Sequence, residues 1–385
     1  MKPNAEPRKW LPPCADPLVA DTPLEFHGGP GYERDGDYPP ATADLSTNIN
    51  PYTPDEAVRQ AVARAPIDAY PDPAASKTRA LLARAWALDS ERILLGPGAS
   101  ELLYRVARCW IRPGDPVVAC GPTFGEYRRA VHVQGGEYHE IRGSAPDFAL
   151  PLARFSDAVG RLRPPVAFLC TPNNPTGEAL PDDRVADLAC RMPAGTLLVI
   201  DESYRSFAAG ELAPPHLPND DRVLHLRSFT KDLGVPGLRL AAAIAPPAIL
   251  EPLIRAAPPW SVSSVAEAAL CAALTAPALA RLKHGLARLA ARRQGLSAAV
   301  ARRGWQPRPS STGFILSAVS DAAGTTHALR IRGVRVRHAA SFGLPGHIRV
   351  AVRRRDEEDR FLAALDDIAD LDDIAAPTAN AGGPS

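Results

Sequence analysis

The chain has 385 residues, of which 45% are hydrophobic and 23% charged, and its 44 basic and 43 acidic residues give a formal net charge of +1. At roughly 150 residues per domain, this length predicts two or three domains. The composition is typical of a globular protein, and the balanced charge gives no reason to expect nucleic acid or a membrane surface as a partner.

Residue spacing also argues against a disulfide framework, a metal site and a membrane span. The six cysteines show no CxxC spacing, and the nine histidines show no HxH, HxxxH or HExxH spacing. The N-terminus is polar and Pro-rich, without the apolar core of a signal peptide, and no window is apolar for long enough to cross a bilayer. We therefore expect a cytoplasmic protein with free thiols and no bound metal.

The pattern along the chain predicts an α/β protein with a second, smaller α+β domain. Residues 1–25 are rich in Pro and charge and predict an irregular N-terminal arm, and residues 376–385 predict a disordered tail. Between 61 and 261, short apolar runs alternate with amphipathic helical stretches, which favours a mostly parallel sheet between helices. Long helices and two short strands follow, so we assign 26–60 and 262–375 to the small domain. The apolar runs are 92–96, 116–120, 166–170, 196–201, 223–228 and 238–245.

Residues that follow the first two runs suit a planar, phosphorylated ligand. The run 92–96 leads through Gly98 into a predicted helix at 99–111, whose first residues are Ala99 and Ser100. Glycine permits close backbone approach, and the free amides of a helix N-terminus attract anions. Phe124 follows the run 116–120 and could stack on a ring. Taken singly, a plain turn with an N-cap and a core phenylalanine are the better explanations of these residues.

The next three runs end in polar residues that could hold a charged ring and react with a carbonyl. The loop TPNNPTG (171–177) presents Asn174, and the run 196–201 ends at Asp201, with Tyr204 three residues later. A carboxylate at the end of an apolar strand is costly unless it meets a cation, such as a protonated ring nitrogen.

Lys231 follows the last of these runs, between Ser228 and Arg239. A lysine in that position can act as an amine nucleophile. A serine hydroxyl and an arginine guanidinium on either side of it suit a phosphate.

In this order, the motifs resemble those of fold-type-I pyridoxal-phosphate enzymes of the class I/II aminotransferase family, over residues 26 to 365. The resemblance implies that Lys231 carries pyridoxal 5′-phosphate as a Schiff base and later moves the proton at Cα. It further implies that Asp201 keeps the pyridine nitrogen protonated and that Phe124 stacks on the ring. Asn174 and Tyr204 would bond the phenolic oxygen. The phosphate would be held by Gly98, Ala99, Ser100, Ser228 and Arg239.

The resemblance also implies a substrate clamp and a shared site. Arg349, in HIRVAVR (347–353), would bind the carboxylate of a small-molecule amino acid substrate. Tyr70, in AYPDP (69–73), would reach the cofactor phosphate of a neighbouring subunit, which implies a homodimer.

Four further segments narrow the resemblance to one branch of the family. FHGG (26–29), DLSTNINP (44–51), TKDLGVPGLRL (230–240) and PPWSVSS (258–264) look like those of threonine-phosphate decarboxylases and their histidinol-phosphate aminotransferase relatives. In that group the first two segments close over the substrate, which makes His27 and Asn50 candidate substrate contacts.

The sequence leaves the reaction open. Every branch begins with an external aldimine between cofactor and substrate amine, and the geometry at Cα then decides which bond breaks. Transamination in a biosynthetic pathway is the first expectation. Decarboxylation of a threonine-phosphate-like amino acid, and elimination, replacement or C–C bond formation in specialised metabolism, are the alternatives. A non-catalytic regulator with a pyridoxal-phosphate sensor domain is the least favoured, because only about 25 residues precede FHGG.

Overall fold

A computed structural model describes residues 17–20, 22–25, 27–29, 38–216 and 221–375. Most of the predicted N-terminal arm and the predicted tail at 376–385 lie outside the described residues. The helices are Pro17–Ala20 (α1), Glu56–Ala63 (α2), Ser76–Trp86 (α3), Ala99–Trp110 (α4), Glu126–Val133 (α5), Leu152–Leu162 (α6), Asp182–Cys190 (α7), Arg205–Ala209 (α8), Pro247–Arg255 (α9), Ser264–Ala273 (α10), Ala276–Ala301 (α11), Ala322–Ile331 (α12) and Arg355–Ala375 (α13). The strands are Ala43–Asp44 (β1), Ile93–Gly96 (β2), Pro116–Gly121 (β3), Glu137–Arg142 (β4), Val166–Cys170 (β5), Leu197–Asp201 (β6), Val223–Ser228 (β7), Ala241–Ile244 (β8), Gln306–Pro307 (β9), Phe314–Ala318 (β10), Val334–Arg335 (β11), Arg337–His338 (β12) and His347–Ala351 (β13).

The central sheet has seven strands in the order β2-β8-β7-β6-β5-β3-β4. Strand β8 runs antiparallel to both of its neighbours, and the other six strands run parallel to one another. Strands β5, β6 and β7 are buried along their whole length, as expected for strands covered by helices on both faces. The predicted mostly parallel α/β sheet is therefore confirmed, and the carboxyl ends of β2, β3, β5, β6 and β7 meet at one edge.

One strand of this sheet was absent from the sequence prediction. Strand β4 has the sequence EYHEIR and lies at the edge of the sheet, paired only with β3 among the described residues. None of its side chains is buried, and its sequence contains no continuous apolar run. An edge strand of this kind leaves little hydrophobic signal in a sequence.

The C-terminal part contains a second, antiparallel sheet in the order β12-β13-β10-β9. It packs against the long helix α11, and the short strand β1 pairs in parallel with β11 nearby. In the pairing of β12 with β13, Arg337 lies directly opposite Arg349. The division of the chain into a large domain at 61–261 and a small one at 26–60 and 262–375 stays a prediction.

Within the described ranges, no single helix is long and apolar enough to cross a bilayer. The adjoining helices α10 and α11 are long and apolar enough only when they are taken together, and the chain bends by 79° between them. The described cysteines, which exclude Cys14, are all free thiols.

Candidate active site

A cavity of about 610 Å³ opens at the carboxyl edge of the central sheet, where the small antiparallel sheet faces it. The sequence-predicted residues that line it are His27, Ala99, Ser100, Phe124, Asn174, Asp201, Tyr204, Ser228, Lys231, Arg239 and Arg349. These positions span more than 300 residues of the chain. Strand order, which no local motif specifies, brings them to one place.

One end of the cavity is built as an anion cradle. Helix α4 starts at Ala99 after Gly98, and within the described structure no side chain caps it. Gly98 has φ +106°, and a Cβ there would lie 2.5 Å from Nη2 of Arg239. Glycine at this position therefore lets the guanidinium approach the uncapped helix amides. Ser228 and Thr230 share a hydroxyl hydrogen bond of 2.8 Å beside them. The donor set fits a phosphate monoester.

Asp201 ends strand β6 in the middle of the sheet and is only 7% exposed. The Tyr127 hydroxyl donates to its Oδ2 at 2.8 Å, and the Ser203 amide donates to its Oδ1 at 2.9 Å. The two hydrogen bonds that this carboxylate accepts from the described residues therefore come from neutral donors. A buried carboxylate with only neutral donors suits a cationic ligand atom, such as a protonated ring nitrogen. The sequence analysis missed Tyr127.

Lys231 lies in the turn after β7, and its Nζ is 4.8 Å from the centre of the Tyr204 ring. Tyr204 is buried, and its hydroxyl accepts a hydrogen bond of 3.0 Å from Nδ2 of Asn48. Because that bond uses the oxygen as an acceptor, the hydroxyl proton of Tyr204 can point to a ligand. Phe124, half-buried on the opposite wall, provides a ring face for stacking.

Arg349 is buried in strand β13 and fixed by two hydrogen bonds. Its Nη1 donates to Oδ1 of Asn174 at 2.5 Å, and its Nη2 donates to the Ser46 carbonyl at 2.8 Å. Its Nε is buried and has no partner among the described atoms. Burial lowers the pKa of Arg349, with a smaller opposing effect from Tyr204. Arginine's ordinary pKa lies so far above neutrality that the guanidinium stays charged and can bind an anion.

The mouth of the cavity carries a polar cluster that the sequence analysis recognised only in part. His27 Nε2 lies 2.7 Å from Glu126 Oε1, and the Tyr104 hydroxyl donates to Glu126 Oε2 at 2.7 Å. Burial raises the pKa of Glu126, but the hydrogen bonds from His27 and Tyr104 outweigh it, and the net pKa is below the ordinary value. His27 also borders the cavity, which is compatible with its prediction as a substrate contact.

Three predicted site residues do not line this cavity: Gly98, which directly precedes α4, Asn50 and Tyr70. Asn50 is fully buried, and its amide donates to the Asp232 carbonyl and accepts from the Tyr52 amide. Asn48, two residues earlier, lines the cavity instead. Tyr70 is 79% exposed and stacks on Trp260 at 4.4 Å, away from the cavity of its own chain.

Comparison with known proteins agrees with this geometry. The family model described as aminotransferase class I and II matches residues 41–365. The chain is 34% identical over 337 residues to the chloroplastic histidinol-phosphate aminotransferase of Nicotiana plumbaginifolia, covering 86% of this chain and 80% of that one. It is 36% identical over 328 residues to the histidinol-phosphate aminotransferase of Symbiobacterium thermophilum, covering 83% and 89%.

Solved structures extend the likeness to the fold. The histidinol-phosphate aminotransferase of Sinorhizobium meliloti, solved in complex with pyridoxal-5′-phosphate, superposes with a TM-score of 0.83 at 26% identity, covering 96% of this chain and 99% of that one. The L-threonine-O-3-phosphate decarboxylase of Porphyromonas gingivalis has a TM-score of 0.69 at 23% identity, covering 85% and 99%. At that identity the second likeness concerns the fold alone.

Proposed function

The chain belongs to the class I and II aminotransferase family, and from this premise we propose that it moves an amino group from an anionic amino compound in a biosynthetic pathway. The family has the fold-type-I architecture and the pyridoxal 5′-phosphate cofactor that the sequence analysis predicted. When bound, this cofactor supplies an electron sink for the bond that breaks at the substrate Cα. The remaining chemistry depends on the chain's own residues.

Each group of cavity residues has a separate proposed role. The proposed phosphate site is formed by the α4 amides, Ser228 and Arg239, which fix the depth at which the cofactor binds. Asp201 supplies the negative charge for the ring nitrogen, and Lys231 supplies the amine that attaches the cofactor and the group that takes and returns the proton at Cα. Arg349 would bind an anionic group of the substrate and so fix the orientation of the substrate in the cavity.

The pairing of Arg337 with Arg349 carries the proposal about the substrate. The two residues are direct cross-strand neighbours, and both line the cavity. Both side chains bring positive charge to the cavity, and two guanidinium groups suit an anionic group of a bound substrate. Arg337 also donates to the Ser341 hydroxyl at 2.6 Å, which holds its side chain in place. We therefore propose a substrate with a phosphate or carboxylate on each side of the amine-bearing carbon, or one such group that both arginines contact.

A panel of amino compounds with single-arginine variants tests this proposal. The panel pairs histidinol phosphate with histidinol, and threonine phosphate with threonine, each with 2-oxoglutarate as amino acceptor. Keto product and CO2 are both followed by mass spectrometry. Arg349→Ala should raise KM for the preferred anionic substrate by about 10- to 150-fold, the equivalent of about 1.5–3 kcal/mol for a lost charge-assisted hydrogen bond. Arg337→Ala should lower the ratio of turnover of each phosphorylated compound to turnover of its unphosphorylated counterpart. Histidinol carries no anionic group, so equal turnover of histidinol phosphate and histidinol by the unaltered protein would contradict the proposal.

Decarboxylation is the second candidate, because the two segments that close over the substrate in threonine-phosphate decarboxylases and their histidinol-phosphate aminotransferase relatives border the cavity. His27 and Gly28 come from the first segment, and Ser46, Thr47 and Asn48 come from the second. The same panel separates the reactions, since CO2 release from threonine phosphate without an amino acceptor identifies a decarboxylase. Keto product that depends on 2-oxoglutarate identifies an aminotransferase.

We also propose a homodimer in which Tyr70 completes the partner's phosphate site. Tyr70 stacks on Trp260, which is 44% exposed, and Ile67, three residues before Tyr70, is 86% exposed. Large apolar side chains are therefore exposed in this part of the surface. Mixed dimers of Lys231→Ala and Tyr70→Phe chains should regain one site with unaltered cofactor affinity, because each chain supplies what the other lacks. No recovery in the mixture would mean that the sites are not shared.

A further inference from the structure

The contact between Tyr127 and Asp201 goes beyond the roles assigned above. We propose that Tyr127 is a positioning residue that keeps the proton shared by Asp201 and the cofactor ring on the ring nitrogen. This inference rests on the proposed role of Asp201 as the partner of that nitrogen.

Packing fixes the direction of the Tyr127 hydroxyl. The side chain is fully buried, and its ring stacks on Phe168 with centroids 4.9 Å apart and an interplanar angle of 4°. Its edge meets Phe124, the predicted stacking residue, at 5.7 Å and 86°. Held from two sides, the ring places its hydroxyl 2.8 Å from Oδ2 of Asp201. Tyr127 thus contacts two residues that are assigned to the cofactor.

The electrostatic environment makes Tyr127 a permanent donor. Burial, and then the charge of Asp201, raise the pKa of Tyr127 well above its ordinary value. The phenol therefore keeps its proton at working pH and donates it to the carboxylate. The Cys170 thiol also lies within hydrogen-bonding reach of this hydroxyl, but burial raises the pKa of Cys170 to about 12, so it adds no charge at neutral pH.

This hydrogen bond affects where the shared proton resides. Each oxygen of Asp201 accepts one bond from the chain, and a donor to a carboxylate lowers its affinity for a proton. With Tyr127 donating, the proton stays on the ring nitrogen and the ring withdraws electrons. Without it, Asp201 becomes more basic and competes for the proton. The Tyr127 hydroxyl would therefore influence the reaction through Asp201, without itself contacting the substrate or the cofactor.

The test loads each purified variant with pyridoxal phosphate carrying 15N at the ring nitrogen and records the 15N chemical shift at neutral pH. Tyr127→Phe removes one oxygen, and we expect its resonance to move from the pyridinium position toward unprotonated pyridine. Tyr104→Phe is the matched control, because Tyr104 makes an equivalent 2.7 Å bond to a different cavity carboxylate, that of Glu126. The control resonance should not move.

Asp201→Asn separates this inference from the proposal on which it rests. If Asp201→Asn moves the resonance and Tyr127→Phe does not, Tyr127 has only a packing role and the inference is overturned. If neither variant moves it, Asp201 is not the partner of the nitrogen, and both assignments are wrong. If Tyr127→Phe does not bind the cofactor, 3-fluorotyrosine is placed at position 127 instead. This residue keeps the aromatic ring and makes the hydroxyl a stronger hydrogen-bond donor. The 1H resonance of the ring N–H should then shift upfield because its bond to Asp201 weakens, and an unchanged resonance overturns the inference.

Discussion

Replacing Gly98 with alanine should weaken cofactor binding as well as destabilise the fold. Gly98 combines φ +106° with ψ 152°, a region that side chains rarely adopt, and an added Cβ would lie 2.5 Å from Nη2 of Arg239. Backbone strain of this kind costs on the order of 1–3 kcal/mol. Arg239 is exposed, so its side chain can move aside at little further cost to stability. Moving it, however, removes its guanidinium from the proposed phosphate site.

The loss of affinity follows from that displacement. One charge-assisted hydrogen bond contributes about 1.5–3 kcal/mol, which corresponds to a dissociation constant for pyridoxal phosphate raised about 10- to 150-fold. Gly114→Ala is the matched control, because Gly114 has φ +84° and a Cβ there would meet nothing within 4 Å. The assay is an equilibrium titration of apo protein with the cofactor, alongside urea unfolding of each apo variant. If both variants bind the cofactor equally well, Gly98 and Arg239 do not form the phosphate site.

Two other predictions concern the covalent link and the behaviour in acid. Lys231→Ala should abolish the covalent cofactor adduct that borohydride fixes and mass spectrometry detects. Lys283→Ala, which removes a lysine from an exposed ion pair with Glu211, should retain this adduct. An adduct in both variants would mean that the cofactor is attached at another residue. The pKa of Glu126 is lowered on balance by His27 and Tyr104, so the folded carboxyl binds fewer protons than the unfolded one. Its stabilising contribution is therefore complete above the ordinary glutamate range and is lost as pH falls through the folded pKa. Glu126→Gln should show a smaller fall in Tm between neutral and acid pH, and an unchanged fall would contradict the assignment.

The sequence alone predicted six of the seven strands of the central sheet and most of the residues proposed for the cofactor site. Buried strands leave continuous apolar runs, and the residue after each run is placed by strand direction at one edge of the sheet. For that reason Asp201, Lys231 and Asn174 could be assigned before their neighbours in space were known. Motif spacing in the same loops supplied Ser228 and Arg239.

Tertiary structure decided the contacts that depend on register and side-chain direction. Arg337 faces Arg349 because β12 and β13 pair in one register, and a shift of one residue would turn the side chain to the other face. The Tyr127 hydroxyl reaches Asp201, 74 residues later in the chain, through a tertiary contact that no local pattern encodes. Asn48 rather than Asn50 enters the cavity because the two amides of one short loop find different partners. Such choices depend on packing between distant segments, whereas the strand ends are encoded in the local order of residues.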